Sequence, residues 1–300
     1  MSRVSLLANA KINLFLEVGA RRADGYHDVV SVMQSVSLSD RVTVTAGEGT
    51  APGISLRCGD LPGDRQNIAY RAAELFYLVC GQEPRADIFI EKNIPVAAGL
   101  AGGSADGAAV LRALNLLEGE PLGEDTLSRM AARIGADLPF CLTGGTMLAG
   151  GIGEELSGLP PMPDQTILIV KRSEGVSTPA AFAELDRVRA ERGTVVAADR
   201  RTADAMVAAL GRGDSQGIGR ELYNAFSDLP YAMWLGTDAV ADICRAHGGA
   251  AQLSGTGPSV FSLFSAEVEA AVAADAVRDA CPDVACFICR PARRGLYILG

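Results

Sequence analysis

Apolar and polar residues alternate along the first part of the chain, which is the period expected of half-buried strands. In residues 8–18 this alternation directs Lys11 and Asn13 to one face, away from the apolar side chains. On the same basis, strands are predicted at residues 4–18, 29–38, 41–45, 54–57 and 86–90. The dipeptide Ser39-Asp40 is predicted to be a turn between two of these strands.

Helical periodicity and glycine- or proline-rich breaks divide the rest of the chain. An amphipathic helix is predicted at residues 67–80 with Asn67 as its N-cap, and a second at residues 127–134. After the proline-rich segment 159–163, strands and helices are predicted at residues 166–170, 180–247, 250–253, 260–264, 266–280 and 284–289. This order predicts a split β-α-β domain. The boundary is placed between residues 1–158 and residues 159–300.

A glycine-rich segment at residues 95–105 lies between a predicted strand and a predicted buried helix. Its glycines let the backbone turn and approach a ligand closely, and Ser104 is the expected N-cap of the helix. A helix N-terminus offers N–H groups and partial positive charge, which favour a phosphate. The segment has neither the Gly-Lys-Ser/Thr of a Walker loop nor the Gly-x-Gly-x-x-Gly of a dinucleotide loop. A glycine turn without a ligand is therefore an equal alternative.

Composition excludes several classes of function. The net charge of −9 argues against a general nucleic-acid-binding surface, which needs a basic face. No apolar run approaches the ~20 residues of a membrane span, and the N-terminus lacks a signal-peptide layout. The seven scattered cysteines predict reduced thiols in a cytoplasmic protein. Cys281, Cys286 and Cys289 have a spacing used by iron–sulfur proteins, but they lie in a predicted buried strand and are expected to belong to the core.

Candidate chemistry is concentrated in a few polar residues. Only three of the 27 basic residues are lysines, and Lys11 and Lys92 lie inside motif-like segments. A lysine amid apolar strand residues needs an anionic partner or a cleft. Asp137, with small and apolar neighbours, is a candidate partner, and a helix cap is its alternative role. Tyr26 and His27 follow a turn signal and are suited to stack on and hydrogen-bond to a flat base or sugar.

Five segments together resemble the GHMP kinases, the family of galactokinase, homoserine kinase and mevalonate kinase. They are Ala10-Lys-Ile-Asn-Leu14, Asp24-Gly-Tyr-His27, Pro95 to Ala109, Gly135-Ala-Asp-Leu-Pro-Phe140 and Leu253-Ser-Gly-Thr-Gly257. The resemblance is greatest to members that recognise cytidine through the Tyr and His of Asp-Gly-Tyr-His. It implies an α+β, two-domain fold with the active site in the cleft between the domains. The N-terminal domain would be a ribosomal-protein-like α/β domain and the C-terminal domain a split β-α-β (ferredoxin-like) domain.

The resemblance also implies an activity and a set of roles. The reaction would be ATP-dependent phosphorylation of the 2-hydroxyl of a cytidine diphosphate-linked methylerythritol, in the non-mevalonate route to isoprenoid precursors. Asp137 would be the base and Lys11 the cation beside it. Substrate contacts are expected from Asn13, Tyr26, His27 and Phe182. ATP contacts are expected from Asn67, Lys92, Pro95, Ala97, Gly99, Leu100, Ala101, Gly102, Gly103, Ser104, Ala105, Gly255 and Thr256. Mg²⁺ would be carried by the ATP phosphates, with no certain protein ligand, and the chain is expected to be a monomer or homodimer.

Three residues depart from the family pattern in the glycine-rich segment. Ala101 stands where a glycine is usual, Ala105 where a second serine is common, and Gly107 where an alanine is common. A lost hydroxyl removes one possible phosphate or metal ligand. Phosphate contacts would then rely on backbone N–H groups and Ser104.

Two alternatives stay open at this stage. The chain could be a GHMP kinase for another small alcohol, or a nucleotide-binding relative without turnover. The presence of both Lys11 and Asp137 argues against loss of turnover. The segment Asn224-Ala-Phe-Ser differs from the family's Asn-Asp-Leu-Glu and receives no role.

Overall fold

The computed structural model describes residues 2–227, 229–230 and 236–299. The strands are β1 (Ser2–Arg21), β2 (His27–Ala46), β3 (Gly53–Arg57), β4 (Arg85–Glu91), β5 (Thr146–Gly150), β6 (Glu155–Gly158), β7 (Thr166–Arg172), β8 (Tyr223–Asn224), β9 (Ala250–Leu253), β10 (Val260–Phe264), β11 (Val284–Cys289) and β12 (Leu296–Leu299). The α-helices are α1 (Ile68–Cys80), α2 (Gly102–Leu117), α3 (Glu124–Ile134), α4 (Leu138–Thr143), α5 (Thr178–Arg192), α6 (Asp204–Gly211), α7 (Ser215–Arg220), α8 (Thr237–Ala246) and α9 (Glu267–Ala280).

The first sheet is built around the long antiparallel hairpin of β1 and β2. Strand order along it is β12-β1-β2-β4-β3, with β5 and β6 extending from β2 and β8 pairing with β1. Two segments from late in the chain therefore join this sheet, because β8 and β12 both pair with β1. The first sheet thus takes strands from both halves of the sequence.

Helix α2 is the central helix of the first half. It packs against α1, α4 and the β1–β2 hairpin, and its residues from Ala105 to Leu111 are buried on every side. A helix buried all round needs small residues where its neighbours come close. A Cβ on Gly107 would lie 2.8 Å from Ile68 Cγ2, so glycine fits this position without displacing α1.

The second sheet is antiparallel, in the order β11-β7-β10-β9. Helices α8 and α9 contribute Val240, Ala273 and Val277 to a core with Leu168 and Val170 of β7. The hairpin β9–β10, helix α9 and strand β11 form the expected split β-α-β unit. The predicted α+β, two-domain fold is confirmed. None of the helices in the described ranges is long and apolar enough to cross a membrane.

The predicted turn at Ser39-Asp40 is wrong, because β2 runs through it without interruption. Asp40 is fully buried, and its Oδ1 accepts hydrogen bonds from the backbone N–H groups of Asn93 and Ile94 at 2.6 and 2.8 Å. Its Oδ2 accepts from Lys92. These partners satisfy a carboxylate that could not otherwise be buried inside a sheet.

Candidate active site

One cavity of about 930 Å³ opens between the two halves of the molecule. Its walls come from β1, the glycine-rich segment and the start of α2, and from α5 and residues 255–256 of the second half. Every residue that the sequence analysis assigned to the site lines this cavity, except Ala105. The volume lies at the upper end of the range for small-molecule sites, which suits two ligands bound side by side.

Lys11 lies in β1 with only 5% of its surface exposed. Its Nζ donates to Asn13 Oδ1 at 2.7 Å. Asn13 then donates to Ser31 Oγ at 2.8 Å, and Ser31 donates to the Phe15 carbonyl at 2.8 Å. The backbone N–H of Lys11 donates to the Leu100 carbonyl at 3.1 Å, which ties β1 to the glycine-rich segment. This chain of hydrogen bonds fixes the ammonium group against the cavity.

Asp137 faces Lys11 across the cavity, with 4.0 Å between Oδ2 and Nζ. Its side chain is 35% exposed. Asp137 occupies the N-cap position of α4, but its carboxylate makes no capping hydrogen bond. The alternative role as a helix cap is therefore wrong for the side chain, and the carboxylate stays available to a ligand beside a fixed cation.

The glycine-rich segment ends in the N-terminus of α2. Helix α2 begins at Gly102, and Ala101 is its N-cap in the left-handed conformation, with φ of 57°. The predicted cap at Ser104 is wrong, because Ser104 is the third residue of the helix. The first hydrogen bond of the helix runs from the Ala105 N–H to the Ala101 carbonyl at 2.9 Å. The N–H groups of residues 102–104 therefore have no intrahelical partner and lie at the cavity wall.

Ala105 is the one assigned residue that does not reach the cavity. Its side chain is fully buried in the main core. A serine hydroxyl at this position would point into the same core. The departure from the family pattern at Ala105 therefore removes no contact with a ligand in this cavity.

Lys92 lies between two buried carboxylates. It donates to Asp40, and to Asp106 Oδ2 at 2.7 Å. Burial by itself lowers the pKa of Lys92, but the charges of Asp106 and Asp40 outweigh it and raise that pKa. Burial, reinforced by Asp40 and opposed by Lys92, raises the pKa of Asp106 to about 7. Asp106 Oδ1 is buried and has no hydrogen-bond partner within the described part of the chain.

The other end of the cavity carries aromatic rings. His27 and Phe182 lie with ring centroids 4.9 Å apart, and Tyr26 is 60% exposed at the entrance. His27 Nε2 lies 2.9 Å from Asp186 Oδ1, and the His27 side chain is only 6% exposed. This arrangement offers a flat, partly apolar slot with one hydrogen-bonding ring, which suits a planar base.

A second glycine turn, at residues 254–257, packs directly on the first, which is the glycine-rich segment at residues 95–105. Ser254 Oγ donates to the Gly99 carbonyl at 3.0 Å. The side-chain amide of Asn224 donates to the carbonyls of Leu253 and Gly255 at 2.9 and 2.8 Å. The segment that received no role from the sequence therefore holds this turn in place.

Five polar residues that contact the assigned ones were not identified from the sequence: Ser31, Asp40, Asp106, Asp186 and Asn224. Two of them carried a usable signal. Asp106 is an acid inside an alanine-rich buried helix, and Asp186 lies one helical turn after Phe182. The other three, Ser31, Asp40 and Asn224, form hydrogen bonds with residues that are distant in sequence, so no local pattern identifies them.

Comparison with known proteins gives consistent matches. The family model described as GHMP kinases N terminal domain matches residues 67–145, and the model described as GHMP kinases C terminal matches residues 206–283. The chain is 39% identical over 274 residues to the 4-diphosphocytidyl-2-C-methyl-D-erythritol kinase of Caldicellulosiruptor saccharolyticus, covering 91% of this chain and 92% of that relative. It is 40% identical over 305 residues to the enzyme of the same name from Synechococcus sp. (strain JA-3-3Ab), covering 99% and 97%. A crystal structure of 4-(cytidine 5'-diphospho)-2C-methyl-D-erythritol kinase matches with a TM-score of 0.78 and 30% identity, covering 96% of this chain and 99% of that one.

Proposed function

Because this chain belongs to the GHMP kinase family, we propose that it transfers the γ-phosphoryl group of ATP to the 2-hydroxyl of 4-diphosphocytidyl-2-C-methyl-D-erythritol. The observation that carries this proposal is the cavity of about 930 Å³ that joins the Lys11–Asp137 pair to the aromatic slot of His27 and Phe182. The relatives named above carry this substrate in their names. The reaction belongs to isoprenoid precursor biosynthesis, and we expect it to take place in the cytoplasm.

Asp137 acts as the general base in this proposal. Its carboxylate accepts the proton of the acceptor hydroxyl as the oxygen attacks the γ-phosphorus, and the bond from that phosphorus to the bridging oxygen of ADP breaks. Lys11, 4.0 Å away, stabilises the negative charge on the carboxylate and on the attacking oxygen. The hydrogen bond from Lys11 to Asn13 orients the cation before the reaction, so little reorganisation is needed at the moment of transfer.

The start of α2 binds the ATP phosphates. The N–H groups of residues 102–104 have no intrahelical partner, and the helix dipole adds partial positive charge. The Ser104 side chain is at the same wall of the cavity. Lys92 and Asn67 lie next to this wall and face the nucleotide. In phosphoryl transfer, alignment and charge stabilisation of this kind supply most of the catalysis.

The residues present fit a Mg²⁺ ion that is carried by the nucleotide. No group of three His, Cys, Asp or Glu side chains in the described ranges converges as a metal cage. Mg²⁺ in kinase sites is held mainly by substrate phosphates, waters and one or two protein oxygens. Ser104, at the start of α2, carries a side-chain oxygen at the cavity wall that would complete its coordination. When bound, the ion supplies positive charge that neutralises the phosphates.

A coupled assay of ADP release tests the proposal. The protein is incubated with ATP and Mg²⁺, and with 4-diphosphocytidyl-2-C-methyl-D-erythritol, homoserine, mevalonate or no acceptor. We expect rapid ADP release with the cytidine compound alone. Faster release with another alcohol would assign the chain to a different substrate. Release that does not depend on any acceptor, or no release at all, would contradict the proposal.

A further inference from the structure

We propose that Asp186 positions His27 so that the cytosine base is preferred over uracil. The inference rests on the proposed function, because it concerns the base end of the same cavity. It goes beyond that function by assigning a role to a residue on α5 that does not carry the chemistry.

The contact between the two side chains is close and directional. His27 Nε2 lies 2.9 Å from Asp186 Oδ1. An ionised carboxylate is only an acceptor, so in this contact Nε2 must carry the proton. In a neutral imidazole the other nitrogen, Nδ1, then has a lone pair and accepts. Asp186 thus selects one of the two tautomers of His27.

The unprotonated nitrogen of His27 is open to a ligand. Across residues 2–227, 229–230 and 236–299, His27 Nδ1 makes no hydrogen bond, and it is not among the fully buried polar atoms that lack a partner. His27 lines the cavity, and we infer that its accessible Nδ1 is the atom that a bound base meets. A base stacked beside Phe182 would meet a hydrogen-bond acceptor there.

An acceptor at this point distinguishes two pyrimidines. Cytosine carries an exocyclic amino group, N4–H₂, which donates, whereas uracil carries a carbonyl, O4, which accepts. The amino group can donate to Nδ1, while the carbonyl would face another lone pair. A site built to pair with a donor disfavours the analogue that lacks it, because buried polar groups are then left unpaired.

Asp186 is held firmly enough to impose this choice. It lies on α5 one turn after Phe182, so both side chains project from one face of the helix. Another turn on, Arg189 donates to the Val18 carbonyl and, at 3.0 Å, to Glu17 Oε1. Ala181, Leu185 and Val188 of α5 are buried against the β1–β2 hairpin. The carboxylate therefore belongs to a packed helix and not to a loop.

Binding measurements with two nucleotides test the role of Asp186. Cytidine 5'-diphosphate and uridine 5'-diphosphate are titrated separately by calorimetry at pH 8. A non-hydrolysable ATP analogue at saturation blocks the ATP site, so that each nucleotide binds only at the acceptor site beside His27. In the wild type we expect the cytidine compound to bind more tightly. In Asp186→Ala we expect cytidine binding to weaken about tenfold, the value of one hydrogen bond, with a smaller change for uridine.

Two further variants separate hydrogen bonding from charge and from general damage to α5. Asp186→Asn keeps a carbonyl oxygen that can accept from Nε2–H, so we expect it to retain most of the preference for cytidine. Glu184→Ala removes a partly buried carboxylate of the same helix that pairs with Arg187 and does not line the cavity, and we expect it to leave both affinities unchanged. An Asp186→Ala protein that is folded and keeps the wild-type cytidine-to-uridine ratio would overturn the inference.

The tautomer can also be observed without any ligand. The chain has two histidines, His27 and His247, so a ¹⁵N-histidine spectrum contains few signals. At pH 8 we expect the His27 signals to show the proton on Nε2 in the wild type and a mixture of the two tautomers in Asp186→Ala. A wild-type spectrum with the proton on Nδ1 would overturn the inference. This result is independent of turnover, so failure of the proposed function would be recognised separately.

Discussion

Replacing Gly99 with alanine should separate the two glycine turns that close the cavity. Gly99 has φ of 72°, in the left-handed region, and a Cβ added to it would lie 2.2 Å from the Ser254 carbonyl oxygen. Real Cβ atoms essentially never come closer than 3.0 Å to another heavy atom. The second turn would have to retreat by roughly 1 Å, which would also weaken the hydrogen bond from Ser254 to Gly99.

The expected cost has two parts. Left-handed backbone costs an alanine about 1–2 kcal/mol relative to glycine, and forced displacement in a packed region costs about 1–3 kcal/mol more. Gly81→Ala is the matched control, since Gly81 has φ of 65° but nothing within 4 Å of its added Cβ. The control should lose only the backbone part, about 1–2 kcal/mol. The difference between the two variants then measures the contact between the turns.

Urea denaturation and steady-state kinetics provide the two readouts. A shift of about 1 Å at a reacting site can reduce turnover about 100-fold, and Gly255 stands so near that its added Cβ would lie 3.6 Å from Lys11 Nζ. We therefore expect Gly99→Ala to lose most of its turnover while Gly81→Ala keeps it. Equal free energies of unfolding for the two variants, together with normal turnover by Gly99→Ala, would show that the turns do not depend on this contact.

Three further predictions follow from the site. Asp137→Asn should abolish turnover while leaving the affinity for ATP nearly unchanged by calorimetry; unchanged turnover would exclude Asp137 as the base. Chelation of Mg²⁺ should abolish ADP release and its re-addition should restore it, whereas release that continues in excess chelator would refute a role for the ion. The raised pKa of Asp106, about 7 against an ordinary value of 3.8, means that the folded state holds a proton that the unfolded chain loses. Stability should therefore fall as pH rises towards 7. Between pH 5 and pH 8 the wild type should lose about 2 kcal/mol more than Asp106→Asn in urea denaturation, and parallel pH profiles would contradict this.

Local sequence patterns predicted the elements whose partners are near in sequence. The helix over Ile68–Cys80 was identified with its cap, and Asn67 does accept a hydrogen bond from the Ala69 N–H. The strands β9, β10 and β11 were also predicted at their observed bounds. In these cases periodicity and capping residues lie within the element itself.

The errors arise where distant residues decide the conformation. Ser39-Asp40 has the composition of a turn, but Asp40 is satisfied by Lys92 and two N–H groups more than 50 residues later. Strand β12 was not predicted, because its partner, β1, is at the other end of the chain. The left-handed Ala101 was likewise unpredictable, since alanine gives no local signal for that conformation.

More of the candidate site than of the detailed fold could be predicted from the sequence, because the site's motifs contain the reactive residues themselves. Lys11 and Asp137 were paired from their unusual surroundings and from the family resemblance, and the structure brings them to 4.0 Å. Their supporting partners are different. The hydrogen bonds of Lys11 to Asn13 and of His27 to Asp186 depend on rotamers and on helix docking, which no sequence pattern specifies.

In the proposed reaction this chain moves a phosphoryl group from ATP to a hydroxyl of the cytidine-linked acceptor. Phosphorus NMR of the complete reaction tests it most directly, because every phosphate in both substrates is observed at once. We expect one new phosphomonoester signal for each ADP formed, with the diphosphate of the acceptor intact. ADP accompanied by free inorganic phosphate, or a cleaved acceptor diphosphate, would contradict it.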